Sequence, residues 1–134
     1  MRTIRIALSA LLLVGCTTLD YQPRAISERE AYAVITEVAM QQPSAPASTY
    51  LDSHYLGFRD ATGGKPQDIR ERIYFGSLDG IELHRRGPGY LVRLSGPDGA
   101  TLREFSIADR AQAERFVDAL AHYRAKAPAF SGLK

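Results

Sequence analysis

An apolar run from Ile6 to Val14 opens the chain, behind a short start that carries Arg2 and Arg5. It is shorter than the roughly 20 residues that a transmembrane helix needs. Thr17 to Ala25 is polar, contains Pro23 and shows no clear period. After Ser27 the spacing turns helical: Ala31, Val34, Ile35 and Val38 share one face, flanked by Tyr32 and Ala39. Ser27 and Glu30 form a capping-box pair, in which each side chain can satisfy a backbone N–H at the helix start. Pro43 stops this helix, and Gln41 to Ser48 reads as a loop.

Further on, the period drops to two. Thr49 to Phe58 is rich in tyrosine and reads as a strand bulged at Gly57. Asp60 to Asp68, with Gly63-Gly64 and Pro66, reads as a loop. Then come short alternating runs at Ile73/Phe75, Ile81/Leu83, Tyr90/Val92/Leu94 and Phe105/Ile107. Asp79-Gly80, Gly87-Pro88-Gly89 and Pro97-Asp98-Gly99 separate them as hairpin turns. A helical stripe returns at Ala113, Phe116, Val117, Leu120 and Tyr123, capped by Asp109 with Gln112 and ended by Pro128. The pattern predicts an α+β domain, an antiparallel β-meander of four or five strands packed with an N-terminal and a C-terminal helix. From about Arg70 to Lys126, the meander and its closing helix also resemble the end of a pleckstrin-homology-like domain. That resemblance implies a partial barrel as the alternative fold.

A basic start and a short apolar run have the anatomy of a secretion signal. The run ends in Leu13-Val14-Gly15-Cys16, which holds the only cysteine of the chain. This tetrad resembles the lipobox of bacterial lipoproteins. The resemblance implies that Cys16 is lipidated and becomes the mature N-terminus, with Leu13, Val14 and Gly15 read by the processing enzymes. In that family an aspartate after the cysteine favours retention at the inner membrane. Thr17 stands there instead, which implies the periplasmic leaflet of the outer membrane in a two-membrane host. The expected organisation is a signal peptide over 1–15, a lipidated tether over 16–26, one domain over 27–128 and a tail over 129–134.

Processing changes the electrostatics. The full chain carries a net charge of +2. Removing Arg2 and Arg5 reduces 17 basic residues to 15, which balance 15 acidic ones. A neutral mature chain loses the compositional support for nucleic-acid binding. The mature length, 134 residues less 15, suits one domain with one core. With Cys16 acylated, no thiol is left for a disulfide or a metal site.

Candidate chemistry is sparse. His54, His84 and His122 lack metal-ligand spacing. Ser95-Gly96 lacks the nucleophile-elbow pattern. The glycines at 87, 89, 96 and 99 lack the lysine and helix of a phosphate loop, and serve hairpins instead. Asp52, Asp60, Asp68 and Asp79 do not have calcium-loop spacing. No cofactor or metal is implied. Arg85, Arg86, Arg93 and Arg103 lie on adjacent predicted strands. With aligned registers they form an anion-binding face for a carboxylate or phosphate. With ordinary pairing to Glu82 and Glu104 they form a solvated face. Tyr50, Tyr55, Tyr74 and Tyr90 are either interface anchors or half-buried strand residues.

The expectation is a membrane-anchored, non-enzymatic envelope lipoprotein that binds a partner protein. The alternative is a module for anionic lipid or a cell-wall ligand using the arginine face. A small hydrolase ranks last. The oligomeric state stays open.

Overall fold

A computed structural model describes residues 16–43, 48–59 and 69–128. The expected signal peptide with Leu13, Val14 and Gly15, the Gly63-Gly64 loop and the tail at 129–134 lie outside the described residues. The elements run β1 (Cys16–Thr18), α1 (Glu28–Met40), β2 (Ser48–Leu51), β3 (Tyr55–Arg59), β4 (Ile69–Tyr74), a 3-10 turn (Phe75–Ser77), β5 (Gly80–Arg86), β6 (Gly89–Ser95), β7 (Thr101–Ile107) and α2 (Arg110–Lys126). The expected α+β architecture holds. The strands divide into two antiparallel sheets, ordered β1-β5-β6-β7 and β2-β3-β4, and no barrel closes among the described residues.

Both helices begin where the sequence places their caps. Ser27 Oγ accepts from the Glu30 N–H at 3.1 Å, and an Asp109 carboxylate oxygen accepts from the Gln112 N–H at 2.9 Å. Only half of the Ser27 capping box forms, because the Glu30 carboxylate turns outward to the Arg115 guanidinium. Asp109, the α2 cap, follows directly from β7, so the N-terminus of α2 lies at the β5–β6 turn end of the sheet.

The helices pack on each other and cover one face of the four-stranded sheet. Alternate strand positions reach that face: Leu83, Val92, Leu94, Phe105 and Ile107 meet Ile35 and Val38 of α1 and Phe116, Val117 and Leu120 of α2 in one cluster. Phe105 and Phe116 make an edge-on ring pair at 4.9 Å. The smaller sheet adds Leu51, Leu56, Phe58 and Ile73 to the same core.

Two local expectations change, and the expected turn after β5 is defined more closely. Thr49 to Phe58 is a hairpin rather than one strand, because Asp52 accepts from the N–H groups of His54 and Tyr55 at 2.7 and 3.0 Å and turns the chain. The irregularity of β3 falls between Phe58 and Arg59, not at Gly57. At Gly57 the missing Cβ leaves room for Ile69, whose Cγ2 would lie 2.7 Å from a Cβ built there. The β5–β6 hairpin closes over Gly87-Pro88, with Gly87 at φ +56, the first central position of a II′ turn.

The largest correction is at the N-terminus. Residues 16–26 do not form a separate tether. Cys16, Thr17 and Thr18 pair with Arg86, Arg85 and His84, so β1 covers the free edge of β5. The Leu19 N–H continues the ladder to the Leu83 carbonyl at 2.8 Å. Further along, the Tyr21 hydroxyl and the Arg24 N–H both donate to Asp118 at 2.8 Å. Asp118 is buried on α2, and its second oxygen takes Arg115 Nη1 at 3.2 Å. Polar composition concealed this packing, because backbone pairing and one buried carboxylate hold the segment.

Candidate functional site

The small sheet carries the most organised cluster of interaction-type side chains. Its inward positions, Leu51, Leu56, Phe58 and Ile73, enter the core. Alternation along the strands therefore puts Tyr50, Tyr55, Arg59, Arg72 and Tyr74 on the outward face. Tyr55 lies directly opposite Tyr74, and Tyr50 and Arg72 both oppose Gly57. The three tyrosine rings make a row, with centroid spacings of 5.4 Å from Tyr50 to Tyr55 and 5.2 Å from Tyr55 to Tyr74. The Arg59 guanidinium stands over the Tyr50 ring at 5.7 Å, and that of Arg72 over Tyr55 at 5.2 Å. The tyrosines are half-buried, and Arg72 is exposed.

Hydrogen bonds set the edge of this face. The Tyr50 hydroxyl donates to Asp52 at 2.8 Å, which pushes the phenol pKa above its ordinary value. Burial pushes Asp52 up, but the N–H groups of His54 and Tyr55 and the Tyr50 hydroxyl outweigh it and hold the carboxyl below the usual range. Arg59 bonds the Thr49 carbonyl at 3.3 Å. Hydrogen bonding to Tyr55 raises Arg72. Among the described residues neither arginine has a carboxylate partner, so no carboxylate neutralises the two charges over the row of rings.

The expected face of four arginines does not form. Strand register puts Arg85 and Arg103 on the core side of the large sheet and Arg86 and Arg93 on the other. Arg85 stands 5.9 Å from the Tyr90 ring centre. Arg103 binds Glu71 at 2.6 Å and covers the Phe58 ring at 4.2 Å. Arg93 binds Glu104 at 2.8 Å. Only Arg85 and Arg86 are both exposed, flanking the hairpin end from opposite faces of the sheet. Cys16 is the Cα partner of Arg86.

The histidines are separate. His84 is buried between Thr18 Oγ1 and Glu82 Oε1, each at 3.1 Å. His54 is exposed in the β2–β3 turn. His122 packs edge-on against Tyr123 at 5.7 Å, and its Nε2 is buried without a hydrogen-bond partner among the described residues. No three His, Cys, Asp or Glu side chains among the described residues converge on a metal position. No described helix is long and apolar enough to cross a membrane. A cleft of about 460 Å³ lies between the hairpin tip and the start of α2, walled by Pro43, Pro88, Tyr90 and Ile107.

Of the four tyrosines singled out in the sequence, three meet on the small sheet and Tyr90 lies elsewhere. Of their two arginine partners, Arg59 was not singled out as a binding residue, although it stands at an alternating position on the same strand as Tyr55. Asp118 carried no sequence signal, since it follows Val117 in a helix read only for its apolar stripe. No family model and no curated protein matches the chain.

Proposed function

We propose that this chain is a lipid-anchored, non-enzymatic envelope protein that binds a partner protein through the tyrosine–arginine face of its small sheet. The observation that carries the reading is the row Tyr50–Tyr55–Tyr74 with Arg59 and Arg72 above it. Tyrosine and arginine supply large contact area and directional charge, and dominate binding energy at protein interfaces. Two guanidiniums without carboxylate partners favour an acidic patch on the partner. The resemblance of Leu13-Val14-Gly15-Cys16 to a lipobox supports the anchor.

The face lies toward the end of the domain away from β1. Tyr74 leads into Phe75, which packs on Tyr123 near the end of α2 at 5.0 Å. Cys16 lies near the other end of that helix, whose 17 residues extend about 25 Å. A lipid at Cys16 therefore leaves the tyrosine face at the end of the domain farther from the bilayer. The alternative based on four arginines on one face loses its footing, because the four divide between two faces.

The test is crosslinking in intact membranes, followed by recovery of the lipoprotein. A double variant, Tyr55→Ala with Arg72→Ala, is compared with Arg93→Ala. The reading expects a specific crosslinked protein from the parent and from Arg93→Ala, and loss of it from the double variant. Equal recovery from all three chains counts against this face as the binding surface.

A further inference from the structure

We infer that the β5–β6 hairpin tip is a docking surface for anionic phospholipid headgroups, reading them through Arg85 and Arg86. The inference rests on lipidation of Cys16 as proposed above, and adds a fixed orientation to the anchor. Cys16 and Arg86 are register partners, and so are Thr17 and Arg85. Opposed residues of an antiparallel pair have Cα atoms about 5 Å apart. Both arginines are exposed and, among the described residues, have no carboxylate partner. The nearby acids are occupied: Asp109 caps α2, and Glu114 binds Arg110 at 3.0 Å.

Screening length decides whether this proximity matters. Residues 16–26 as a free coil would let the domain wander by about 18 Å from its lipid. Charge attraction to a membrane fades over about 8 Å at physiological ionic strength. A free tether would therefore leave the arginines outside the field for most of the time. The observed packing removes the slack. β1 is zipped to β5, and Tyr21 and Arg24 are held by Asp118. Any lipid on Cys16 then keeps the hairpin tip within a screening length of the headgroups, where the arginines can seat it. Each arginine near an anionic surface contributes about fivefold to the seated population, so the pair contributes about 25-fold.

The test uses the mature lipidated protein in vesicles of phosphatidylglycerol with phosphatidylethanolamine, or of phosphatidylcholine alone. With Cys16 acylated, Pro88→Cys or Asp98→Cys supplies the single free thiol for a fluorophore, and lipids spin-labelled at the headgroup quench it. Anionic vesicles should quench the Pro88 position strongly and the Asp98 position, at the opposite end of the sheet, weakly. Arg85→Gln with Arg86→Gln should erase that contrast while the thermal melt stays that of the parent, and phosphatidylcholine should reduce it. Equal quenching at both positions, or a double variant with the parent contrast, overturns the orientation while leaving the anchor intact. A chain that carries no acyl mass and does not sediment with vesicles overturns the anchor and, with it, this inference.

Discussion

Replacing Asp118 tests whether the N-terminal segment belongs to the domain. One of its oxygens accepts from both the Tyr21 hydroxyl and the Arg24 N–H, and the other takes Arg115. Asp118→Leu keeps the buried volume and removes every acceptor. A hydrogen bond to a charged group contributes about 1.5–3 kcal/mol. Arg24 is largely exposed and Tyr21 half-buried, so water recovers part of that loss. About 2–3 kcal/mol should then go from the docking of residues 19–24. At 1.4 kcal/mol per tenfold, backbone amides there should exchange roughly 30- to 140-fold faster. Asp118→Asn keeps one oxygen for Tyr21 and Arg24 and loses only the Arg115 ion pair, which solvent screens. Hydrogen exchange of the protein, followed by mass spectrometry, reads the difference. The leucine variant should release residues 19–24 while Leu91 to Leu94 in β6 stay protected, and the asparagine variant should stay close to the parent. Parent-like exchange of residues 19–24 in the leucine variant would refute the latch.

Three further outcomes follow from the packing. Phe116→Ala should cost about 3–5 kcal/mol in denaturant unfolding, because a fully buried ring in contact with Phe105 leaves a cavity between helix and sheet; a loss below 1 kcal/mol would contradict the core described. Gly57→Ala should lower stability by about 1–3 kcal/mol through the clash with Ile69, and an unchanged melting temperature would contradict that close approach. Asp52 titrates below its ordinary value, so its stabilisation is present above the unfolded value near 3.9 and is lost as pH falls through the folded value. The stability gap between parent and Asp52→Asn should be flat above about pH 5 and shrink below about pH 4; a gap that persists to pH 2 would contradict it.

Both helices and the three-strand meander were legible because local signals agreed. Capping residues, helical stripes and turn dipeptides each act over a few residues and pointed to the same elements. The stripe of α2, Ala113 to Tyr123, is buried at every position named from the sequence. What escaped was non-local. β1 forms because β5 offers an unpaired edge, and no pattern within Cys16-Thr17-Thr18 announces it. Asp118 is a latch only because Tyr21 and Arg24 arrive from 97 and 94 residues away. The split of β2 from β3 depends on backbone bonds to Asp52, whose turn-forming role was hidden in a tyrosine-rich run. Strand register, invisible in composition, also decided the candidate site. It separated four arginines that looked adjacent and gathered three tyrosines with two arginines that had not been joined.

The proposed anchor depends on acylation of Cys16, a residue that pairs with Arg86 in the large sheet. The intact mass of the protein purified from membranes tests this most directly. It should equal residues 16–134 plus a diacylglyceryl group and one further acyl chain, with fragment ions placing the added mass on Cys16. A mass equal to residues 1–134, or a mature terminus elsewhere with an unmodified Cys16, would contradict it.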